Sequence, residues 1–385
     1  MMQTTSKGSS RRIFRNNFGA IRYILALAIF ISHFNVATES HLWFPISGYF
    51  RVSAFFVMSG FLIYGSYFRC GGWRSFLANR LWRIMPSYLL TVVGCALTLV
   101  LVSDCGPKEY FMSWHWLKYL IVNSLSLNFL EPTLPGVFSG HPLTSVNASL
   151  WTMKVEWCLY FMVIPIVWWT RRSKWSFWKI FSLIFLLSVT YKYVFIWHYE
   201  HTGKEIYSFI AKQFGGQLAF FYSGVLLYVY LDKVKVHKWM LAAVSVPVLI
   251  LGWVWWPYAD LYRFVLFPLT LAGTLIALAF IGRWGAWAEM FENCSYEIYL
   301  FHFPIVQLSY HFGLKERIGA FPAFLCVFAV TAVLAYLVAR YVSAPLRRRH
   351  RTSLDKRRNE SILPASDGNP PSDGNEGQRI AVEGM

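Results

Sequence analysis

Apolar segments of about twenty residues recur along most of the chain, and they constrain its fold more than any other feature. An α-helix needs about 20 mostly apolar residues to cross the roughly 30 Å hydrocarbon core of a bilayer. The composition agrees, because 56% of the residues are hydrophobic and only 14% are charged. We therefore predict an all-α fold, a polytopic transmembrane bundle of about ten helices, with spans at roughly 18–36, 49–68, 86–103, 149–169, 178–197, 206–231, 239–256, 262–281, 295–311 and 319–342.

The positions of the basic residues predict how these spans are oriented. A formal net charge of +17 would also suit a nucleic-acid-binding protein. The lysines and arginines, however, fall in short clusters between apolar segments, as the positive-inside rule requires, so we expect a lipid bilayer and no nucleic acid as partner. Both termini are predicted to be cytoplasmic, because every second connection carries the excess, namely Arg69, Arg74, Arg80, Arg83, Arg171, Arg172, Lys174, Lys233, Lys235, Lys238 and Arg283.

The chain divides into three parts by composition. Residues 1–17 are polar and basic and are predicted to be a cytoplasmic leader, and residues 18–343 form the transmembrane domain. Residues 344–385 are predicted to be a cytoplasmic tail that is first basic, with the sequence PLRRRHR, and then disordered, because its end has too little apolar content to fold. The longest external connection, about 104–148, is expected to help bind an acceptor.

His33 is our candidate for the chemistry. It lies inside the first apolar segment, RYILALAIFISHF, which begins with Arg22. On a helix the two residues lie about 16 Å apart along the axis and nearly on one face, so both can face one cavity. Ionisable groups at membrane depth are costly and usually functional, and an imidazole can act as a general base near neutral pH. Arg22 has a second interpretation, as an interfacial anchor.

Other charged residues in or near the apolar segments are further candidates. Arg80 and Arg83 are three residues apart, so they share a helix face and suit phosphate binding. For Arg69 and Arg74 in the same connection, topogenic charge is about as good an explanation. Glu156 can orient a histidine, pair with a cation on another helix or form an ion pair with Lys154. His302 can be a structural hydrogen-bonding residue.

Several catalytic and metal-binding patterns are missing from the sequence. It contains no G-x-S-x-G motif, so we exclude a serine hydrolase. It contains no H-x-x-x-H or H-E-x-x-H motif, so no metal site is expected. Glu297 and His302 are five residues apart, about 140° around a helix, and do not form a dyad.

Five segments, taken together, resemble the acyltransferase-3 family of bacterial integral membrane proteins. In family order they are RYILALAIFISHF, SAFFVMSGFLI, SFLANRLWRIMPSYL, SLWTMKVEWCLYF and CSYEIYLFHFPI, and they span about 22–304. The resemblance implies an O-acyltransferase of the bacterial inner membrane that moves an acetyl or other short acyl group from acyl-CoA to a hydroxyl of a surface or secreted glycan or a lipid-linked oligosaccharide. It implies acetyl-CoA as donor substrate and no permanently bound cofactor. The sequence has no fused SGNH-type domain, which some members carry, so we expect a stand-alone form.

The resemblance also implies roles for individual residues. The matched positions are Arg22 and His33 in the first motif, Arg80 and Arg83 in the family's R-x-x-R, Glu156 after SLW, and His302 in YL-x-H. His33, Arg22 and Glu156 are thereby expected to be catalytic, and the R-x-x-R arginines to bind acyl-CoA. His33 can act as a general base or carry the acyl group itself.

A function from another class fits part of the same pattern. A transporter or flippase of a glycan or lipid-linked intermediate would also need His, Arg and Glu inside the membrane. The sequence shows no repeated halves or interrupted helix pairs of the kind that transporters often have. The five ordered motifs likewise disfavour a purely structural assembly partner.

Overall fold

The computed structural model describes residues 16–44, 48–173, 175–255, 259–289, 294–350 and 352. These residues are mostly helical and include no strand, which confirms the all-α membrane bundle. The predicted leader, apart from its last two residues, and the predicted disordered end of the tail lie outside the described residues.

The α-helices of the described residues follow the apolar segments closely. In chain order they are α1 Phe18–Ala37, α2 Gly48–Arg69, α3 Trp73–Thr98, α4 Pro107–Met112, α5 Trp114–Ser124, α6 Trp151–Arg172, α7 Phe177–Thr202, α8 Glu205–Ala211, α9 Phe214–Val229, α10 Leu231–Val236, α11 Lys238–Trp255, α12 Phe267–Phe280, α13 Ser295–His311, α14 Leu314–Ile318 and α15 Ala320–Val338. We call the end of the bundle with Phe18, Arg69 and Trp73 the basal end, and the end with Ala37 and Gly48 the distal end.

Six helical stretches of the described residues are long and apolar enough to cross a membrane: Phe18–Ala37, Trp73–Val102, Ala148–Arg172, Phe177–Thr202, Tyr262–Phe280 and Ala320–His350. Of the other four predicted spans, 49–68, 239–256 and 295–311 coincide with α2, α11 and α13, whereas 206–231 is divided between α8 and α9. The helix α13 has 17 residues and includes Glu297 and His302, which lower its hydropathy.

The third span begins earlier than the sequence predicts. We expected it to start at Pro86, but α3 starts at Trp73 and contains Pro86 in its interior. Proline is tolerated inside membrane helices when neighbouring groups satisfy the freed carbonyl. As a result Arg80 and Arg83 lie on the spanning helix itself and not in a connection.

Backbone contact between α2 and α9 fixes the position of α2. Gly60 lies against the carbonyl of Phe221, and Gly224 lies against the carbonyl of Val57, so a Cβ at either glycine would overlap a backbone oxygen. Membrane helices associate through such small residues, since apolar side chains gain little by leaving lipid. The bundle encloses a cavity, and α2 contributes more residues to the wall of this cavity than any other element.

The long connection between α3 and α6, which we call the distal connection, includes a non-helical segment that lies along α13. The Gln307 amide nitrogen donates to the carbonyls of Leu143 and Ser145, and its oxygen accepts from His141 Nδ1 at 3.1 Å. Further along, Asn147 Nδ2 donates to the carbonyl of Leu300 at 2.8 Å. The segment therefore extends about 10 Å along α13 toward the basal end. Irregular backbone occurs at membrane depth only where protein or a cavity surrounds it.

Candidate active site

A cavity of about 630 Å³ runs between α1, α2, α3, α6 and α13. Its wall includes Asn16 and Arg69 at the basal end and reaches Ile29 on α1 and Val52 on α2. Ile29 lies thirteen positions after Asn16, which corresponds to about 20 Å of helix. This volume is typical of a site for a small molecule or cofactor.

Four arginines and one glutamate line the basal part of the cavity: Arg22, Arg69, Arg80, Arg83 and Glu156. The sequence predicted that Arg80 and Arg83 project from one side of a helix, and both reach this cavity. Arg80 Nη2 donates to Ser66 Oγ at 2.8 Å, while its Nε has no hydrogen-bond partner. Arg22 and Arg83 have no hydrogen-bond or ion-pair partner among the described residues. The cavity thus offers free guanidinium donors to an anionic ligand.

Glu156 is bonded inside the cavity and not to Lys154. The Tyr160 hydroxyl, one helical turn further along α6, donates to the Glu156 carboxylate. Lys154 Nζ instead lies over the rings of Phe129 and Phe209, at 3.9 and 4.9 Å from their centres. Of the three interpretations of Glu156, the ion pair with Lys154 is therefore not formed.

His33 and His302 form a hydrogen-bonded pair where α1 packs against α13. His33 Nδ1 and His302 Nε2 are 2.7 Å apart, and the two rings are nearly parallel. His302 is buried, whereas His33 keeps part of its surface accessible. Phe30 and Phe303 pack against the pair. This pairing could not be predicted from the sequence, because the two residues are 269 positions apart.

The hydrogen bonds assign the protons of this pair. His302 Nδ1 lies 2.8 Å from the carbonyl oxygen of Tyr299 and 3.2 Å from that of Ile298. Carbonyl oxygens only accept, so Nδ1 of His302 carries the proton and, in the neutral ring, its Nε2 is an acceptor. His33 Nδ1–H must then donate to it, which leaves the lone pair of His33 on Nε2. The pair holds His33 in the tautomer that a base needs.

The cavity ends one helical turn before this pair. Arg22 lines it and His33 does not, so the two residues share a helix face without sharing the cavity. Ile29, one turn before His33, and Tyr299, one turn before His302, form the end wall together with Phe55. The rings of Phe55 and Tyr299 are in contact, with centres 6.2 Å apart. These two aromatic rings therefore stand at the end of the cavity nearest the histidines.

Glu297 and His302 do not form a dyad, as their spacing predicted. The Ser87 hydroxyl donates to Glu297 Oε1 at 2.8 Å and lies close to the Ser343 hydroxyl. Glu297 thereby connects α13 to α3 and, through Ser87, to the segment Ala339–Ser343 that follows α15. Among the described residues no group of three or more His, Cys, Asp or Glu side chains is arranged to hold a metal ion.

Three residues of this region were not predicted from the sequence: Arg51, Tyr160 and Tyr299. Arg51 is a cation inside an apolar segment, the same signal that singled out Arg22. Tyr160 is four residues from Glu156, a spacing at which helical side chains meet. Tyr299 carried no signal, because the chain contains 22 tyrosines.

The comparison with known protein families gives one match of wide coverage. A family model described as an acyltransferase domain, of the acyltransferase-3 type, matches residues 15–340. The matched range contains all the candidate site residues and the whole cavity wall. Comparisons with curated proteins and with solved structures found no significant match.

Proposed function

Because the chain belongs to the acyltransferase-3 family, we propose that it transfers an acetyl or other short acyl group from acyl-CoA to a hydroxyl of a surface or secreted glycan or of a lipid-linked oligosaccharide. In general terms the chain is a membrane acyltransferase. The observation that carries the finer proposal is the arginine-lined cavity that ends one turn from the His33–His302 pair.

The two parts of the cavity match the two parts of coenzyme A. The nucleotide and pyrophosphate are anionic, and the cavity places Arg69, Arg80 and Arg83 at its basal part. The pantetheine arm is uncharged, and the wall toward the distal end is built from Phe55, Ile29 and similar side chains. Bound in this direction, acyl-CoA presents its thioester to the aromatic end wall.

Arg22 and Glu156 belong to the donor-binding part in this proposal. Both line the cavity, and neither contacts the ring of His33. Arg22 adds a donor for the coenzyme A phosphates. Glu156, held by Tyr160, balances part of the arginine charge and orients the neighbouring guanidinium groups. Their contribution is to position the donor, and the proton transfer falls to His33.

The donor and the acceptor approach from opposite ends of the bundle. The excess of basic residues at the basal end supports a cytoplasmic location for that end, where acyl-CoA is available, in the inner membrane of a bacterium. The segment from His141 to Asn147 supplies backbone and side-chain polar groups along α13 at the distal end. We place the entry of the acceptor hydroxyl along this segment.

His33 acts as the general base. Its Nε2 removes the proton of the acceptor hydroxyl, whose oxygen attacks the thioester carbonyl carbon. His302 accepts the Nδ1–H bond of the resulting imidazolium and keeps the ring oriented. Attack by His33 itself, with an acyl-histidine intermediate, uses the same Nε2 atom. The fixed tautomer supports either route, and the base route requires one fewer covalent step.

Labelled acetyl-CoA tests the proposal. Membranes that contain the protein are incubated with it and with candidate glycans, and we expect label in the glycan for the wild type and none for His33→Ala expressed at the same level. Movement of unmodified glycan without transfer of label would instead identify a transporter or flippase.

The donor site has its own test within the same assay. Arg80→Gln and Arg83→Gln each remove a charged hydrogen-bond donor, so we expect the KM for acetyl-CoA to rise about tenfold or more. Arg74 is the matched control, because it is on the same helix but exposed and outside the cavity. Equal KM values for Arg74→Gln and for the two cavity variants would contradict the assignment.

A further inference from the structure

Arg51 is a buried cation that the mechanism above does not use. It lies in the first turn of α2, at the distal end, and is only 7% exposed. Its Nη1 donates to the carbonyl of Ala28 on α1, and its Nε is buried without a hydrogen-bond partner. No carboxylate of the described residues forms an ion pair with it.

A purely structural role does not account for this arrangement. Burial of a charge without a counter-ion is costly, and a buried N–H without an acceptor adds to that cost. Orientation in the membrane does not require the residue either, because the topogenic arginines are at the basal end. A contact with a single backbone carbonyl would be available to a neutral side chain. The unused Nε–H therefore points to a ligand that is anionic.

The position of Arg51 identifies where that anion would form. The carbonyl that it binds belongs to Ala28, five residues before His33 on α1. The residue after Arg51, Val52, and Phe55 one turn further along line the end of the cavity. Arg51 thus contacts α1 about one and a half helical turns before His33, and its neighbours on α2 line the end of the donor cavity.

We propose that Arg51 is a catalytic residue whose Nε–H binds the oxyanion formed when the acceptor adds to the thioester. The inference rests on the proposed function. An anion that exists only during the reaction explains why the Nε–H of Arg51 has no permanent partner. Donors fixed in advance at such a position act on the transition state and not on the bound substrate.

In the proposed reaction, the acceptor adds to the thioester and the resulting oxyanion then collapses. The acceptor oxygen forms a bond to the thioester carbonyl carbon as His33 Nε2 takes the hydroxyl proton, and the carbonyl π electrons move to oxygen, where Arg51 donates its hydrogen bond. Collapse of the oxyanion re-forms the carbonyl and breaks the carbon–sulfur bond. The coenzyme A thiolate leaves and takes the proton from His33. The products are the O-acyl ester and coenzyme A thiol, and His33 is neutral again.

Two substitutions of Arg51 test the inference in the purified full-length protein. Arg51→Met keeps the stem and removes the donors, so we expect kcat to fall about 100- to 1000-fold, with the KM for acetyl-CoA within about threefold of wild type. Arg51→Lys keeps the charge and can still bond to the Ala28 carbonyl, but it lacks the guanidinium fork, and we expect a loss of about tenfold in kcat.

Lys192→Met is the matched control. Lys192 is also a buried cation in a spanning helix and donates to a backbone carbonyl, that of Gly216, but it lies outside the cavity. The kcat of Lys192→Met is expected to stay within about threefold of that of the wild type. If Arg51→Met does not fold, the kcat of Arg51→Lys is the measurement that tests the inference. A folded Arg51 variant with wild-type kcat, or with a change only in the KM for the acceptor, would overturn the inference.

The experiment separates this inference from the proposed function. His33→Ala is assayed alongside, with size-exclusion profiles to show that each variant is folded. If the wild type transfers no label to any hydroxyl, the proposed function fails. If the wild type is active, His33→Ala is inactive and the Arg51 variants match the wild type, only the role of Arg51 fails.

Discussion

At the scale of single residues, the arrangement of protons on two histidines decides what the site can do. The carbonyls of Ile298 and Tyr299 fix the proton of His302, and His302 in turn fixes that of His33. Each of these hydrogen bonds determines which ring nitrogen of the histidine carries the proton. The reactive lone pair of His33 is therefore a consequence of the helical backbone of α13.

Removal of the His302 ring should impair turnover and leave donor binding intact. We expect His302→Phe to lower kcat about 100-fold or more, because His33 loses the acceptor that holds its tautomer and stabilises its imidazolium. The KM for acetyl-CoA should stay the same, since His302 does not line the cavity. His302→Gln, whose amide oxygen can accept the same hydrogen bond, should recover part of the activity. Wild-type turnover by folded His302→Phe would contradict the tautomer assignment.

The aromatic end wall predicts a preference for short acyl chains. Phe55 and Tyr299 contact each other at the end of the cavity nearest the histidines, and the Tyr299 hydroxyl donates to the Ser149 carbonyl at 2.7 Å. Phe55→Ala removes one ring, so we expect the ratio of kcat/KM for butyryl-CoA to that for acetyl-CoA to rise about tenfold. Leu62→Ala, at a cavity position nearer the basal end, should leave this ratio unchanged. An unchanged ratio in Phe55→Ala would show that the acyl group does not pass this wall.

At the scale of helices, the crossing of α2 and α9 determines where the cavity wall stands. Gly224→Ala would place a Cβ against the Val57 carbonyl, and neither backbone can move without displacing α2. We expect a destabilisation of about 1–3 kcal/mol, measured as a lower Tm of the protein in detergent. Gly94→Ala is the control, because nothing lies within 4 Å of its Cβ position on α3. That substitution should stabilise the helix by about 1 kcal/mol. A Tm for Gly224→Ala at or above that of Gly94→Ala would contradict the close crossing.

The distal connection has a pH-dependent attachment at Glu131. Burial alone would raise the pKa of this carboxyl group, but the hydrogen bonds from Lys118 and His115 outweigh burial and hold the pKa below its ordinary value. The carboxylate therefore stabilises the folded connection above the unfolded-state pKa of about 4.5, and this contribution is lost as the pH falls through the lower folded-state value.

Hydrogen exchange of α5 measures this attachment. In the wild type, exchange of the Trp114–Ser124 amides should increase as the pH falls below about 4.5, once the intrinsic pH dependence is subtracted. In Glu131→Gln the exchange should already be faster at neutral pH and should show no further increase of this kind. Identical profiles for the two proteins would show that the carboxylate does not hold the connection.

At the scale of the whole molecule, the sequence predicted the positions of the helices well. It did not predict which helices pack against each other. Hydropathy located the helices because length and apolar content are local properties, and the Arg80–Arg83 spacing predicted a shared direction for the same reason. The start of α3 was wrong, since Pro86 is a helix-start signal in water but is tolerated inside a membrane bundle.

The pairings that build the site are not local, and the sequence could not predict them. His33 and His302 meet because α1 packs against α13, and nothing in either segment specifies that neighbour. Periodicity placed Arg22 and His33 on one face of α1, but it could not show that the cavity ends at Ile29, between them. The role of Arg51 likewise depends on its burial and on the absence of a partner for its Nε.

Transfer across a sealed membrane tests the central claim most directly. The protein is reconstituted in vesicles of known orientation, with labelled acetyl-CoA on one side and the acceptor glycan on the other. We predict transfer when acetyl-CoA is on the side of the basal end and the acceptor on the side of the distal end, and no transfer in the reverse arrangement or with His33→Ala. Label transfer from acetyl-CoA supplied only at the distal end, or undiminished transfer by His33→Ala, would contradict the account.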